Sequence, residues 1–156
     1  MKIRTIPSAA AFAVLLLSGV ASAQSVSPAP ISVSTAPSTA IVTPGATGVT
    51  FATITLASTG STAYAISSIP VMVTPGAGAS LSAVGNCRLF SEGGQPLMSP
   101  ANAVGNFSSS PSMFSLDAPI VIGAPTSLTI RCDVASNAAP GGAYQFMAGT
   151  PSVLAA

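Results

Sequence analysis

The chain alternates apolar and polar residues in short runs that Gly and Pro clusters separate. The clearest run is SLTIRCDV, in which Leu128 and every second residue up to Val134 point to one side. After the N-terminus no run has the period of an amphipathic helix, which predicts an all-β fold. The expected architecture is an antiparallel β-sandwich, immunoglobulin-like, of about seven strands. The predicted strands are Gly48–Leu56, Ala63–Val73, Asn86–Phe90, Met113–Asp117, Pro119–Gly123, Ser127–Val134 and Ala143–Ala148.

Three features modify this simple pattern. In Gly48–Leu56 the apolar phase shifts after Phe51, which predicts a β-bulge or burial on both faces. Pro70 cannot donate a ladder hydrogen bond, so its strand is predicted to lie at an edge or to bend there. A short edge strand is predicted at Ile31–Val33.

The first 23 residues have the order of a secretory signal peptide. Two positive residues precede an apolar stretch, Ala9–Val20, that is too short to span a bilayer comfortably. Small residues then precede a predicted cleavage site between Ala23 and Gln24. We therefore expect a secreted protein, extracellular, on the cell surface or in the periplasm, with no membrane span in the mature chain.

The rest of the chain divides by composition. Residues 24–44 are rich in Ser, Pro and Ala and predict a linker. Residues 45–156 contain nearly all the predicted strands, and we expect them to form one β-sandwich domain.

Charged residues are scarce. After residue 23 the only charges are two positive and three negative side chains, a net charge of −1: Arg88, Arg131, Glu92, Asp117 and Asp133. So little positive charge excludes a phosphate-binding track, so we expect no nucleic-acid partner. Because so little charge gives little repulsion between copies, we expect the surface to associate.

No active-site pattern is present. There is no histidine, and no lysine follows residue 23, so the serines have no base to activate them. The three carboxylates lie far apart in the sequence, in contexts that resemble a turn, a strand end and a strand surface. We therefore predict a protein that is not an enzyme, with no catalytic, metal-binding or cofactor-binding residues and no cofactor.

Two further residue types have both a functional and a structural interpretation. Asn106 begins an Asn-Phe-Ser glycosylation sequon, a motif that also occurs often by chance. The aromatic residues could form a binding strip, but Phe51, Tyr144 and Phe146 lie at strand-alternating positions, which favours packing in the core.

The two cysteines each lie beside an arginine, in NCRLF and in TIRCDV. In an exported chain, Cys87 and Cys132 are expected to form a disulfide that contributes roughly 4 kcal/mol in the chain-entropy model. The alternatives are free thiols or a pair of metal ligands, although no histidine or third cysteine would complete a metal site. If the two strands are antiparallel neighbours, Arg88 faces Arg131, an unfavourable pair that nearby acids could relieve; a bridge between the sheets avoids it.

Several strand sequences also occur in a characteristic order: YAISSIPVMV, then NCRLF, then PIVIGAPTSLTIRCDVAS and GGAYQFMA. This order, over about Thr43–Ala148, resembles β-sandwich modules of large exported surface proteins from candidate-phylum bacteria. In those modules a "sipv" strand precedes an N-x-x-L-F/Y strand, and a Thr-Leu strand ending in Asp follows. The resemblance implies a cell-surface or extracellular structural module, usually one of several in a longer chain, and it carries over no active-site residues.

These observations predict a secreted structural or adhesive β-sandwich module at the cell surface, without catalytic activity. The alternative is a small secreted glycan- or peptide-binding protein. The expected partners are a second copy or other cell-surface proteins or glycans. Because lysines that normally protect strand edges are missing, the contact is predicted at Ala143–Ala148 and Val153–Leu154, by addition of a strand.

The exported protein is predicted to begin at Gln24. Intact mass or N-terminal sequencing of the exported material should show loss of residues 1–23. A mass that still includes Met1 would contradict the signal-peptide interpretation.

Overall fold

A computed structural model describes residues 30–37 and 42–154. The predicted signal peptide 1–23, its cleavage site between Ala23 and Gln24, and residues 24–29 lie outside the described residues. Within the described part there are eight strands and two short 3-10 turns, Leu81–Ala83 and Pro100–Asn102. The strands are β1 (Ile31–Pro37), β2 (Val49–Ser58), β3 (Tyr64–Pro75), β4 (Val84–Ser91), β5 (Ser112–Ile122), β6 (Thr126–Val134), β7 (Tyr144–Ala148) and β8 (Ser152–Val153).

The strands form two antiparallel sheets around one apolar core. Sheet A has the order β1-β2-β6-β4, and sheet B has the order β5-β3-β7, with β8 pairing the other end of β3. The core draws its buried residues from both sheets, which confirms the all-β antiparallel sandwich. The immunoglobulin-like part of the prediction is not confirmed. Immunoglobulin constant domains have seven strands, four in one sheet (A, B, E and D) and three in the other (C, F and G). Here eight strands form one sheet of β1, β2, β6 and β4 and a second sheet of β5, β3, β7 and β8.

Sheet A begins inside the range 24–44 that the sequence assigns to a linker. All of β1 pairs with β2, from Ile31 opposite Ser58 to Pro37 opposite Ala52. Ile31 is buried in the core, so burial of its side chain holds this strand to the sandwich. The predicted edge strand at Ile31–Val33 is confirmed and extends to Pro37, ahead of the predicted domain start at 45.

The predicted bulge in β2 is confirmed at Phe51. The β2–β6 register passes from Thr50 opposite Arg131 to Ala52 opposite Ile130, which leaves Phe51 without a partner. Both Phe51 and Ala52 are buried. The bulge therefore lets two successive side chains face the core, which simple alternation forbids.

The aromatic side chains that were expected in the core do lie there. The centre of the Phe51 ring lies 5.8 Å from that of Tyr144, in an edge-to-face arrangement, and 5.2 Å from that of Phe146. These contacts join β2 of sheet A to β7 of sheet B, so they hold the two layers together.

Of the two alternatives predicted for the strand at Pro70, an edge or a bend, the edge is wrong, because β3 is the middle strand of sheet B. The Pro70 carbonyl accepts a hydrogen bond from the Gly149 N–H at 2.8 Å. In an extended strand the nitrogen of the same residue faces the same neighbour. That neighbour is Gly149, which lies between β7 and β8 and belongs to neither strand. The missing N–H of Pro70 therefore removes no hydrogen bond from either strand pairing.

The disulfide prediction is confirmed: Cys87 and Cys132 are bonded, with their Cα atoms 4.0 Å apart. Both side chains are buried. The bond joins β4 and β6, which are neighbours in sheet A, so the alternative of a bridge between the two sheets is wrong.

A bulge in β4 sets the register beside this bond. The pairing passes from Gly85 opposite Asp133 to Arg88 opposite Arg131. Asn86, within the bulge, has a positive φ of 50°. The structure therefore contains the arginine pair that an antiparallel neighbour arrangement predicts.

Two of the sheet edges are covered by other parts of the chain. Beyond β4, the Leu97 N–H donates to the Leu89 carbonyl at 2.9 Å, and Val104 exchanges two hydrogen bonds with Cys87. At the edge of β7, the Ala148 N–H donates to Thr35 Oγ1 of β1 at 3.0 Å. The β7 edge that was predicted to add a foreign strand is thus partly occupied by β1.

Replacing both cysteines, Cys87→Ala with Cys132→Ala, should lower the free energy of unfolding by up to roughly 4 kcal/mol, because the unfolded chain loses a long closed loop. Urea unfolding of the oxidised wild type and the double variant measures the difference. Alkylation of the native protein without reduction should label neither cysteine. Equal unfolding midpoints would show that the bond does not stabilise the fold.

Ile130→Asp should prevent folding or cost several kcal/mol, because it places a charge at a fully buried position of β6. Ser127→Asp is the matched control on the outer face of the same strand, where Thr55 is its cross-strand neighbour. Its effect should be mild. Thermal unfolding of both variants tests the assignment, which equal destabilisation would contradict.

Candidate interaction surfaces

The two outer faces of the sandwich differ in chemistry. Sheet A carries Arg88, Arg131 and Asp133 on its strands, and Glu92 follows β4 in the next turn. Sheet B carries the exposed large apolar side chains of the described residues. We call these five the apolar face: Met72, Met113, Val121, Met147 and Leu154.

One end of the apolar face is rich in methionine. Met72 and Met147 are direct cross-strand partners on β3 and β7, and Met113 of β5 lies opposite Pro70. The three methionines are 40%, 53% and 48% exposed. A depression of about 230 Å³ lies beside Met72 and Met147 and is bordered also by Pro70 and Pro111. Thioether side chains adapt to different partners because they are flexible and polarizable.

The other end of the face is aliphatic. Val121 is 68% exposed and lies opposite Ala65 across the β3–β5 pairing. The Leu154 N–H donates to the Ala65 carbonyl at 2.9 Å, which fixes Leu154 beside this pair. A depression of about 490 Å³ opens next to Val121 and Leu154.

No charged side chain interrupts this face. Asp117, on β5, lies in an irregular part of that strand, where the register jumps from Ile120 to Ser115. Its carboxylate accepts a hydrogen bond from Asn102 Nδ2 at 2.7 Å, and its N–H donates to the Leu97 carbonyl. These contacts direct Asp117 toward the segment that covers β4.

On the outer face of sheet A, two guanidinium groups share one aromatic ring. The guanidinium carbon of Arg131 lies 4.7 Å from the centre of the Phe90 ring, and that of Arg88 lies 5.4 Å from it. We call Arg88, Phe90 and Arg131 the arginine cluster. Attraction between each cation and the ring offsets part of the repulsion between the two charges.

The nearby acids do not neutralise this cluster. Both carboxylate oxygens of Asp133 accept hydrogen bonds elsewhere, from the Gly48 N–H at 2.8 Å and from Asn86 Nδ2 at 2.6 Å. Glu92 is exposed and forms no ion pair within the described part of the chain. The relief that the sequence suggested from Asp133 and Glu92 is therefore missing.

The cluster also contains polar atoms without partners. Arg131 Nε and the hydroxyl of Thr129 are both buried and have no hydrogen-bond partner. Thr129 lies opposite Phe90 in the β4–β6 register. Leaving such atoms unpaired costs stability, which opposes the stabilising contacts of the two guanidiniums with the Phe90 ring.

The other candidate residues are placed as follows. Asn106 of the sequon is exposed, and the ring of the neighbouring Phe107 packs against those of Phe114 and Phe146, with ring centres 6.4 and 5.9 Å apart.

Among residues 30–37 and 42–154, no three His, Cys, Asp or Glu side chains lie together as a metal site would require. In the same residues no helix has the length and apolar character needed to cross a membrane.

Comparison with known proteins adds no relative. No protein-family model, curated protein or solved structure matches this chain. Sequence reasoning also missed the apolar face. Its signal was present, because Met72 and Met147 occupy positions that alternate with Val71 and Phe146, which are buried.

Proposed function

We propose that this chain is an exported structural or adhesive β-sandwich module that works at the cell surface by association and carries out no catalysis. The observation that carries the proposal is the apolar face. Single exposed apolar residues are common on any protein, but these five form two apolar areas on one uncharged sheet face, on either side of the cross-strand serines Ser115, Ser68 and Ser152, and such areas mark interaction sites.

The occupant that fits this face best is the same face of a second copy. A partner must bury its own surface against methionine and aliphatic groups, so it cannot bring unpaired charge there. A second copy meets this requirement, and the net charge of −1 for residues 24–156 gives little repulsion between copies. Two identical faces related by a two-fold axis would bury each other and close the assembly.

The size of the face predicts a weak contact. Three strands spaced by ~4.8 Å and a central strand of 12 residues at ~3.3 Å each give the whole outer face of sheet B, polar positions included, an area of roughly 550 Å². A symmetric pair would bury at most about twice that area, which is near the lower end for specific interfaces. Such a contact becomes effective where copies are concentrated or linked. The resemblance to modules of multidomain surface proteins supports this setting.

Association through the face replaces the strand addition that the sequence suggests at Ala143–Ala148. The Ala148 N–H already donates to Thr35 of β1, and Val153 and Leu154 are held against β3. The C-terminal segment therefore offers fewer free backbone groups than an open edge strand would.

Met72→Glu and Met147→Glu should each abolish self-association, because each places a charge at the centre of the apolar contact. Sedimentation of the exported protein across a concentration series measures the dimer fraction. The wild-type dimer should persist at high salt, since the contact is not ionic.

Ser34→Glu is the matched control. It adds the same charge at an exposed position of β1, on sheet A, and should associate like the wild type. A wild type that stays monomeric at every concentration would contradict the proposal. So would methionine variants that dimerise as well as Ser34→Glu.

A small binding protein is the second candidate function, and one observation favours it. The arginine cluster presents two cations without acidic partners. No exposed row of aromatic side chains accompanies it in the described residues, since Phe51, Tyr144 and Phe146 are in the core. Any ligand on sheet A is therefore bound mainly through charge.

A further inference from the structure

We propose that the arginine cluster is a binding site for an oxyanion, a carboxylate or a sulfate, carried by an acidic polysaccharide or free in solution. This site is on the opposite face from the proposed self-association contact and does not depend on it. The two faces would therefore hold two different partners at once.

The first support is the position of the two arginines. They are the only arginines in the described residues, and the β4–β6 register places them directly opposite each other. Like charges at opposed positions destabilise a sheet. A chain with so few charges has many other positions for them, so the pairing indicates a use for the combined positive charge.

The second support is that no carboxylate of the described residues forms an ion pair with either arginine. Asp133 is held by Gly48 and Asn86. Asp117 is held by Asn102, and Glu92 makes no ion pair. Within the described part of the chain, neither guanidinium donates a hydrogen bond; because Arg131 Nε is buried, the donors left for a ligand are those of Arg88 and the terminal nitrogens of Arg131.

The third support is access. Both arginines are partly exposed, and the turn after β4 places Gly94 next to Arg131. A Cβ at Gly94 would lie 3.8 Å from Arg131 Nη2, an ordinary van der Waals contact, so the turn borders the guanidinium on this side. Phe90 fixes both guanidiniums within 5.4 Å of one ring centre, which reduces the entropy lost when an anion binds.

The chemistry of the site selects oxyanions. Guanidinium groups match the planar fork of a carboxylate and also bind sulfate or phosphate oxygens through two parallel hydrogen bonds. Two cations are too few to follow the phosphates of a nucleic acid, which needs an extended basic track. A polysaccharide with one acidic group per sugar carries single carboxylates or sulfates, and one such group can bind the pair of guanidiniums.

The test is titration calorimetry of the exported protein at low salt with polygalacturonate, monomeric galacturonate and neutral dextran. The wild type should bind polygalacturonate, lose affinity as salt increases, and ignore dextran. Arg88→Gln and Arg131→Gln should each weaken binding about tenfold, the scale of one charge-assisted hydrogen-bonded pair. Arg131→Lys should recover only part of the loss, because lysine keeps the charge but not the paired donors.

Ser109→Glu is the matched control, since it changes the net charge by the same amount at an exposed loop position and should bind like the wild type. Tighter binding of the polymer than of the monomer identifies the polysaccharide as the source of the anion. Equal binding per acidic group identifies a free anion. Absence of binding to both acidic probes would overturn the proposal, as would equal weakening by Ser109→Glu and the arginine variants.

Discussion

The Cys87–Cys132 bond and the β4–β6 register around it determine which side chains lie on the outer face of sheet A. Both sulfurs point into the core, so the residues flanking them must point outward. This register sets Arg88 opposite Arg131. The bulge that accommodates Cys87 also needs support at Asn86, and Asp133 supplies it. The only acid adjacent to the arginines on β6 is thereby used for structure. A buried covalent bond and an unneutralised pair of charges are two consequences of one register.

Scarcity of charge has a different effect on sheet B. Its inner side is filled by Ile69, Val71 and Phe114, which are fully buried. Its outer side has no lysine or glutamate to make it polar, and methionines occupy the positions that alternate with the core. The sandwich therefore has one face suited to contacts that resist salt and another suited to contacts that salt weakens. A surface module between copies of itself and an acidic polymer would need both.

Local patterns predicted the parts of the fold that depend on a single strand. The alternation of β6 and the bulge at Phe51 are visible in short stretches of sequence, and the pairing of the cysteines follows because the chain has only two. Neighbour relations are not visible there. Pro70 suggested an edge because its tolerance depends on a gap between β7 and β8 that only the sheet reveals. The Ser- and Pro-rich β1 resembled a linker, since its place is set by pairing with β2 and by burial of Ile31. For the same reason alternation located the methionines on strands, but it did not show that their outer face lacks a covering layer.

The strand edges are protected although lysines are missing, and this makes the apolar face the better place for the proposed association. The β4 edge is covered by the segment around Leu97 and Val104, and β7 is approached by β1 through Thr35. The β5 edge is broken by the irregular register between Ser115 and Ile120. Addition of strands at an open edge can continue without limit and form fibres, whereas two faces related by a two-fold axis close at the dimer. A nearly uncharged domain has little electrostatic protection against open-ended growth. Covered edges and one exposed face therefore favour a limited, reversible contact as the form of the proposed association.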